Sequence, residues 1–379
     1  MVFVSIARAA YPDDVPLEAV VAAVPFEASP WPNRIFLNLA PDGAPPFKLM
    51  LDTGATDSYF TAFAARELGI SISPVKHEYR HVTRLGTDLH FYVDTRVEAG
   101  SEREKERAYG LLGGNLLHDY VVDFDFSGRK VRFLDPKRYA VPESTTDPEA
   151  AVVPIRVGAH RPIAEIRVNG RPLRVLVDTG CPVPVVLSGR AARDVGIDPE
   201  KLPEFGEMAT MLGPMKLRLL EAAEVEIGGL RFSSVPIEVA PHGWYGTSAE
   251  SKDSVIGYDL VSRFRARIDY RRARMWLGRE RKDVPYYGVD YAATRASGAM
   301  LDPTFGGRYR VVYIFPASPA ARLGLQLGDL VTSQGEDGTV RTNAQLIKAI
   351  REGQRVRVAR RVNGVFTDLD LPADSGLQR

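Results

Sequence analysis

Two aspartates in this chain sit in nearly matching surroundings. Asp52 ends the apolar run Leu49-Met50-Leu51 and leads into Thr53-Gly54; Asp178 ends Val175-Leu176-Val177 and leads into Thr179-Gly180. Two carboxyls held close cannot both ionise cheaply, so one pKa falls, the other rises, and the pair keeps one proton. Such a pair can take a proton from water while giving one to a carbonyl oxygen, which hydrolyses a peptide bond without a metal or cofactor. The neighbouring residues have tasks in that arrangement. Each apolar run makes a buried strand that fixes the loop and dries the site. Thr53 and Thr179 can send their hydroxyls across a two-fold axis to the opposite loop's backbone. Gly54 and Gly180 permit a tight turn and let N–H groups approach the carboxylates. A single Asp-Thr-Gly is only a common turn sequence, so the weight falls on what surrounds the two copies.

The elements that must position this pair are themselves repeated. The aspartates lie 126 residues apart, and Ala64-Ala65-Arg66-Glu67-Leu68-Gly69-Ile70 returns as Ala191-Ala192-Arg193-Asp194-Val195-Gly196-Ile197. Upstream of Asp52, a strand over 35–39 turns at Asp42-Gly43 into a strand over 47–51. Upstream of Asp178, a strand over 163–168 turns at Asn169-Gly170 into one over 173–177. Downstream, each copy predicts a short helix, over 61–68 and 190–195, with Gly69 and Gly196 at the C-terminal stop. Hairpins turning near Gly86 and Gly213 come next, then the apolar-apolar-Gly elements Leu111-Leu112-Gly113 and Val255-Ile256-Gly257. Those glycines allow chains to pack closely behind each Asp loop. Each copy ends in a helical turn and a closing hairpin. The duplication covers about 30–137 and 155–280, the second copy being longer before its apolar-Gly element. Pro142–Glu149 is polar and reads as a linker.

Two rival chemistries are present in the letters. His77-Glu78-Tyr79-Arg80-His81 is a literal H-E-x-x-H, which binds zinc when a helix turns both histidines one way and a third ligand joins them. Here the repeat demands a hairpin, and the second copy has no counterpart, so these residues read as polar hairpin residues. Cys181, the single cysteine, follows the second triplet, but the repeat places no histidine beside it; it reads as packing, not as a nucleophile. His90, His118, His160 and His242 are scattered and read as ordinary, and Arg103–Arg107 as a charged, solvated face.

With 379 residues, 45% hydrophobic, 26% charged and a net charge of +1, the chain is long enough for two or three domains. That charge balance argues against a nucleic-acid or anionic-membrane partner. The sequence holds no run of 18 apolar residues, so no membrane span is expected. A lone cysteine cannot form an intrachain disulfide and says nothing about compartment. Val2–Ala10 ends in an A-x-A pattern but lacks a basic n-region and a long apolar core. It is either the stub of a signal peptide or an ordinary leader, and the reading leans to export into the periplasm or medium.

On the two triplets, the Asp52–Ala55 sequence DTGA and the two apolar-Gly elements, the chain resembles the retropepsin-like and pepsin-like aspartic peptidases, especially single-chain bacterial members with two lobes. The resemblance covers about two-thirds of the chain. It implies a mostly β fold with two pseudo-symmetric lobes, catalytic Asp52 and Asp178, a polypeptide substrate, and hairpin flaps over the cleft with Gly86 and Gly213 as candidate tips. The second motif departs from the family: Cys181, then Pro182, stand where Ala or Ser is usual. Cysteine is small enough to pack there. The competing reading is an inactive peptidase-like scaffold that binds polypeptide; two intact triplets argue against it, since binding alone does not need both acids.

After about residue 285 the repeat stops. Arg310–Ile314 reads as a strand and Ser318-Pro319-Ala320-Ala321-Arg322-Leu323-Gly324-Leu325 as a capped short helix. A Gly328-Asp329 turn, an amphipathic helix over 342–350 and a strand over 355–360 follow. The SPA…GL…GD pattern resembles a bacterial PDZ domain. That implies an α+β module over 286–375 binding a peptide or C-terminus by strand addition, with Gly298, Ala299 and Met300 as candidate carboxylate-loop residues. The expected organisation is a leader over 1–29, lobe 1 over 30–141, a linker over 142–154, lobe 2 over 155–283, and the PDZ module.

Overall fold

The computed structural model describes residues 15–27, 33–39, 46–61, 64, 80–85, 89–94, 110–210, 213–240, 254–278, 296–303, 308–315, 318–332, 342–362 and 365–372. The first strand set runs β1 (Val20–Glu27), β2 (Ile35–Leu39), β3 (Phe47–Leu51), β4 (Tyr59–Phe60) and the hairpin β5 (Arg80–Leu85) with β6 (Leu89–Asp94). It closes with β7 (Gly110–Leu112), the one-turn helix α1 (Gly114–Leu117), β8 (Val121–Asp125) and β9 (Lys130–Leu134). The second set runs β10 (Ala151–Gly158), β11 (Arg161–Val168), β12 (Arg171–Asp178), β13 (Val185–Ser188), α2 (Gly189–Asp194) and the hairpin β14 (Glu204–Thr210) with β15 (Gly213–Ile227). It ends with β16 (Leu230–Ala240), β17 (Val255–Gly257), α3 (Tyr258–Val261), β18 (Arg265–Asp269) and β19 (Arg274–Gly278). A C-terminal module adds β20 (Ala299–Pro303), β21 (Arg308–Ile314), α4 (Pro319–Arg322), β22 (Leu330–Thr332), α5 (Asn343–Arg351), β23 (Val356–Val362) and β24 (Val365–Leu371). The protein is thus mostly β, and all described strands except β5 and β6 join into one closed barrel network. Among the described residues, no helix is long and apolar enough to cross a membrane.

The pairings repeat as the letters do. β2 pairs antiparallel with β3, which pairs parallel with β7; β11 pairs antiparallel with β12, which pairs parallel with β17. A strand flanked on both sides by layers is buried on both faces, and 175–178 at the end of β12 is buried at every residue. α2 starts where Ser188 accepts the Ala191 N–H and stops at Gly196, whose φ of +83° suits glycine. The matching first-copy helix over 61–68 lies outside the described residues apart from Thr61 and Ala64.

The two sets share a six-stranded antiparallel platform in the order β1-β9-β8-β18-β19-β10. Its centre is the β8–β18 pairing, where Asp123 lies opposite Arg267. Asp123 is fully buried and accepts from Arg132 Nε (2.7 Å), Arg267 Nε (2.9 Å) and Arg265 Nη2 (3.2 Å). Arg267 also lies over the Trp276 ring, 4.5 Å from its centroid. Although burial pushes the Asp123 carboxyl up, the Arg265 hydrogen bond and the charges of Arg267, Arg265 and Arg132 hold it below the ordinary value.

The platform redraws two expected boundaries. The segment 1–29, read as a leader, supplies β1, which pairs with β9 because its apolar residues Ala22, Val24 and Phe26 alternate into the core. Of the linker expected over 142–154, Ala151–Pro154 is the platform end of β10, paired with β19. His118 and His160, read as unrelated, stack with ring centroids 4.3 Å apart and join α1 to the β10–β11 turn.

Candidate active site

Asp52 and Asp178 each follow the last residues of a strand that runs parallel beside an apolar-Gly element. The Asp52 N–H donates to Leu112 O at 3.0 Å, and Asp178 stands in register with Gly257. Both apolar-Gly glycines are needed for close approach. A Cβ on Gly113 would overlap the Asp57 carbonyl, and one on Gly257 the Val183 and Cys181 carbonyls.

The two loops are tied by four crossed hydrogen bonds. Thr53 Oγ1 donates to Val177 O (2.7 Å) and accepts from Thr179 N (3.0 Å). Thr179 Oγ1 donates to Leu51 O (3.0 Å) and accepts from Thr53 N (3.1 Å). Both threonines are fully buried. Each aspartate also accepts from its own loop: Asp52 Oδ1 from Gly54 N (2.8 Å) and Ala55 N (3.0 Å), Asp178 Oδ1 from Gly180 N (2.8 Å) and Cys181 N (3.1 Å). The glycines lie against the opposite acid. A Cβ on Gly54 would overlap the Asp178 carboxyl, and one on Gly180 that of Asp52.

These contacts bring the carboxyls face to face. Burial pushes Asp52 well above the ordinary carboxylate value, and the Asp178 charge and the hydrogen bond a protonated Asp52 donates to Asp178 push it the same way. The Gly54 and Ala55 N–H groups pull it back. The protonated form of Asp52 is thus favoured beside Asp178.

The loop exits differ. Ser58 N and Oγ both donate to Asn115 Oδ1 (2.8 and 2.7 Å), whereas Pro184 stands at the matching place in the second loop, with Asp259 opposite. Cys181 is buried, and burial with the Asp178 charge pushes its thiol well up, the opposite of a nucleophilic cysteine. Arg34, at the start of β2, donates from Nε to Gly180 O at 3.3 Å and so braces the opposite loop. Sequence reading passed over Arg34. The repeat carried its signal, since Arg161, the first residue of β11, holds the matching place.

Gly86 lies outside the described residues. Gly213 opens β15 opposite Thr210, at the base of a turn whose tip residues also lie outside. Of the H-E-x-x-H run, His77 and Glu78 lie outside, while Arg80 and His81 are in strand β5, not a helix. Gly298 has φ +76° and its carbonyl accepts the Phe315 N–H; Ala299 and Met300 begin β20, which pairs with β21. No described hydrogen bond joins these three to the carboxyl pair, although Met300 packs against the buried cluster that holds Cys181.

Residues 164–260, which include Asp178 but not Asp52, match the family model described as Aspartyl protease. No curated protein gives a significant match. Among solved structures, the chain is similar to a retropepsin-like aspartic protease from Rickettsia conorii, at 23% identity over 34% of this chain and 90% of that one, with a TM-score of 0.28. It is also similar to an aspartic proteinase from Irpex lacteus, at 15% identity over 69% and 98%, with a TM-score of 0.42. At those scores neither structure bears on the chemistry of this chain. The family match gives the chain an aspartyl-protease-type segment, and the peptidase class is supported.

Proposed function

We propose that this chain is an aspartic endopeptidase whose two lobes, one per strand set, hold Asp52 and Asp178 as a shared-proton pair. The observation that carries the reading is the crossed Thr53–Thr179 bonding, which holds two duplicated Asp loops back to back with their carboxyls hydrogen-bonded. A binding scaffold has no need of two acids so held. In the reaction, the ionised member of the pair takes a proton from water as its oxygen attacks the scissile carbonyl carbon. Asp52, whose proton is held by burial, gives that proton to the carbonyl oxygen. The tetrahedral diol then collapses: a hydroxyl proton returns to the pair, the amide nitrogen takes one, and the C–N bond breaks. The hairpins β5/β6 and β14/β15 would cover bound polypeptide. The C-terminal module would act as a PDZ domain, taking a peptide end along β20 beside α5, with Gly298, Ala299 and Met300 at the carboxylate end.

The test is cleavage of a peptide library by wild type, Asp52→Asn and Asp178→Asn, with a pepstatin-type inhibitor and with a chelator. Loss of cleavage in both variants and with the inhibitor is expected. Cleavage that survives both substitutions would refute the pair, loss with chelator alone would turn the reading to a metal, and an inert wild type would leave the scaffold.

A further inference from the structure

The C-terminal module does not stand apart from the second strand set. Tyr313 of β21 pairs through its main chain with Gly206 of β14, so β21 extends the β14/β15 hairpin at its edge. The Tyr313 side chain is 6% exposed, in one buried cluster with Cys181 and Val183 of the Asp178 loop and Leu217 and Leu219 of β15. Met300 and Phe315 of the module pack against the same cluster. At its end, the Tyr313 hydroxyl donates to the Glu238 carboxylate, 3.2 and 3.3 Å from the two oxygens.

Glu238 occupies a demanding place. It is fully buried on β16, in register with Leu219 of β15 on one side and with Val186 of β13 on the other. It therefore lies between the hairpin that would cover the cleft and the strand that leaves the Asp178 loop. A buried carboxylate that loses a donor must shift or draw in water. Here one such donor belongs to a different module.

We infer that Tyr313 is a positioning residue for the proposed reaction: through Glu238 it holds the base of the β14/β15 hairpin against the Asp178 loop. Its catalytic half rests on the peptidase reading above; its structural half, closure of the wall around Cys181, does not. The C-terminal module is on this view part of the catalytic unit and not a detachable recruiting domain. Because Met300 begins the β20 strand and also enters the cluster, a peptide laid along β20 would press on the same wall.

Cys181 is the only cysteine in the chain, so its reaction with a small aromatic disulfide reagent reads opening of that wall without any proteolysis. The experiment uses the full chain with Tyr313→Phe, which removes the hydroxyl alone, and Tyr313→Ala. Thiol reaction should quicken about tenfold in the Ala variant and less in Phe, as loss of a buried donor and of packing predict. With a short peptide substrate, the Phe variant should lose about tenfold in kcat with KM little changed. A merely structural tyrosine would lower the urea midpoint and leave kcat of the folded enzyme alone. Wild-type thiol rates and kcat in a folded Phe variant and a folded Ala variant would overturn the inference; so would faster thiol reaction with unchanged kcat. An inert wild type would instead sink the peptidase reading, and the positioning role with it, while the thiol rates would still report on the wall.

Discussion

Replacing Thr53 by valine tests the link between the two loops with almost no change of shape. The side chain is fully buried, so its hydroxyl has no water to fall back on. Removing Oγ1 deletes two of the four crossed bonds and leaves the Val177 carbonyl and the Thr179 N–H unpaired in a dry site. Each net bond is worth about 1 kcal/mol, and a stranded buried partner raises the loss to 1–3 kcal/mol, so the variant should lose about 2–6 kcal/mol of unfolding free energy. The isosteric side chain leaves no cavity, so packing does not confuse the measurement. Val177 precedes Asp178, and the slackened loop should cost about ten- to a hundredfold in kcat at little change in fold. Urea denaturation gives the first quantity and turnover of a short peptide the second. Thr53→Ser, which keeps the oxygen, should recover most of both. A valine variant within about 0.5 kcal/mol of wild type, or a serine variant as damaged as the valine, would refute the reasoning.

Gly54→Ala should fold but lose more than about a hundredfold in activity, because the added methyl displaces the Asp178 carboxyl; the comparison is kcat against far-UV circular dichroism. Asp52→Asn should be inactive yet more stable at neutral pH. Burial raises the folded pKa of Asp52, so the folded state binds the extra proton and loses stability as pH rises from the ordinary value of 3.8 through the raised one; asparagine removes that loss, which urea midpoints at pH 4 and pH 7 will show. Asp123→Asn should cost about 3–5 kcal/mol at pH 7 by leaving three buried or half-buried guanidiniums facing a neutral amide. Its sign with pH is the reverse. The folded pKa of Asp123 is depressed, so its stabilisation is complete above 3.8 and drains away as pH falls through the folded value, and the Asn variant should lack that part of the acid transition.

What the letters revealed and what they hid divide along a physical line. The Asp loops were legible because their demands are local: an apolar strand, an acid, a hydroxyl and a glycine within a few residues, stated twice. The β11–β12 hairpin was legible because Asn169-Gly170 fixes its turn by backbone preference, both residues taking positive φ, and β2 pairs with β3 as its strand pattern implied; Asp42-Gly43 lies outside the described residues. β1 was missed because residues 1–29 were read as a leader, although Ala22, Val24 and Phe26 alternate as an edge strand does. The Asp123 cluster, the Arg34 brace and the Tyr313–Glu238 bond were hidden for a different reason. Each joins residues at least 75 apart or draws on both strand sets, and a charged or hydroxyl residue in a strand gives no local sign of whether it will face water or a partner.

Those hidden contacts matter to the site because the proposed sharing of a proton depends on distance. The carboxyl pair is made by two loops from different strand sets, so its spacing is only as fixed as the join between the sets. Near the loops the join is the threonine bonding. In the platform it is β8 against β18, pinned by Asp123. The two ties act at different places: the threonines join the backbones of the loops, and the platform joins the strands beneath them. A buried ion-pair cluster contributes little net stability over a well-packed apolar replacement, yet its geometry is met in the register that sets Arg267 opposite Asp123. An apolar replacement of Asp123, Arg132, Arg265 and Arg267 together should therefore fold about as stably as wild type while losing turnover, a result that locates the cluster's value in alignment and not in strength.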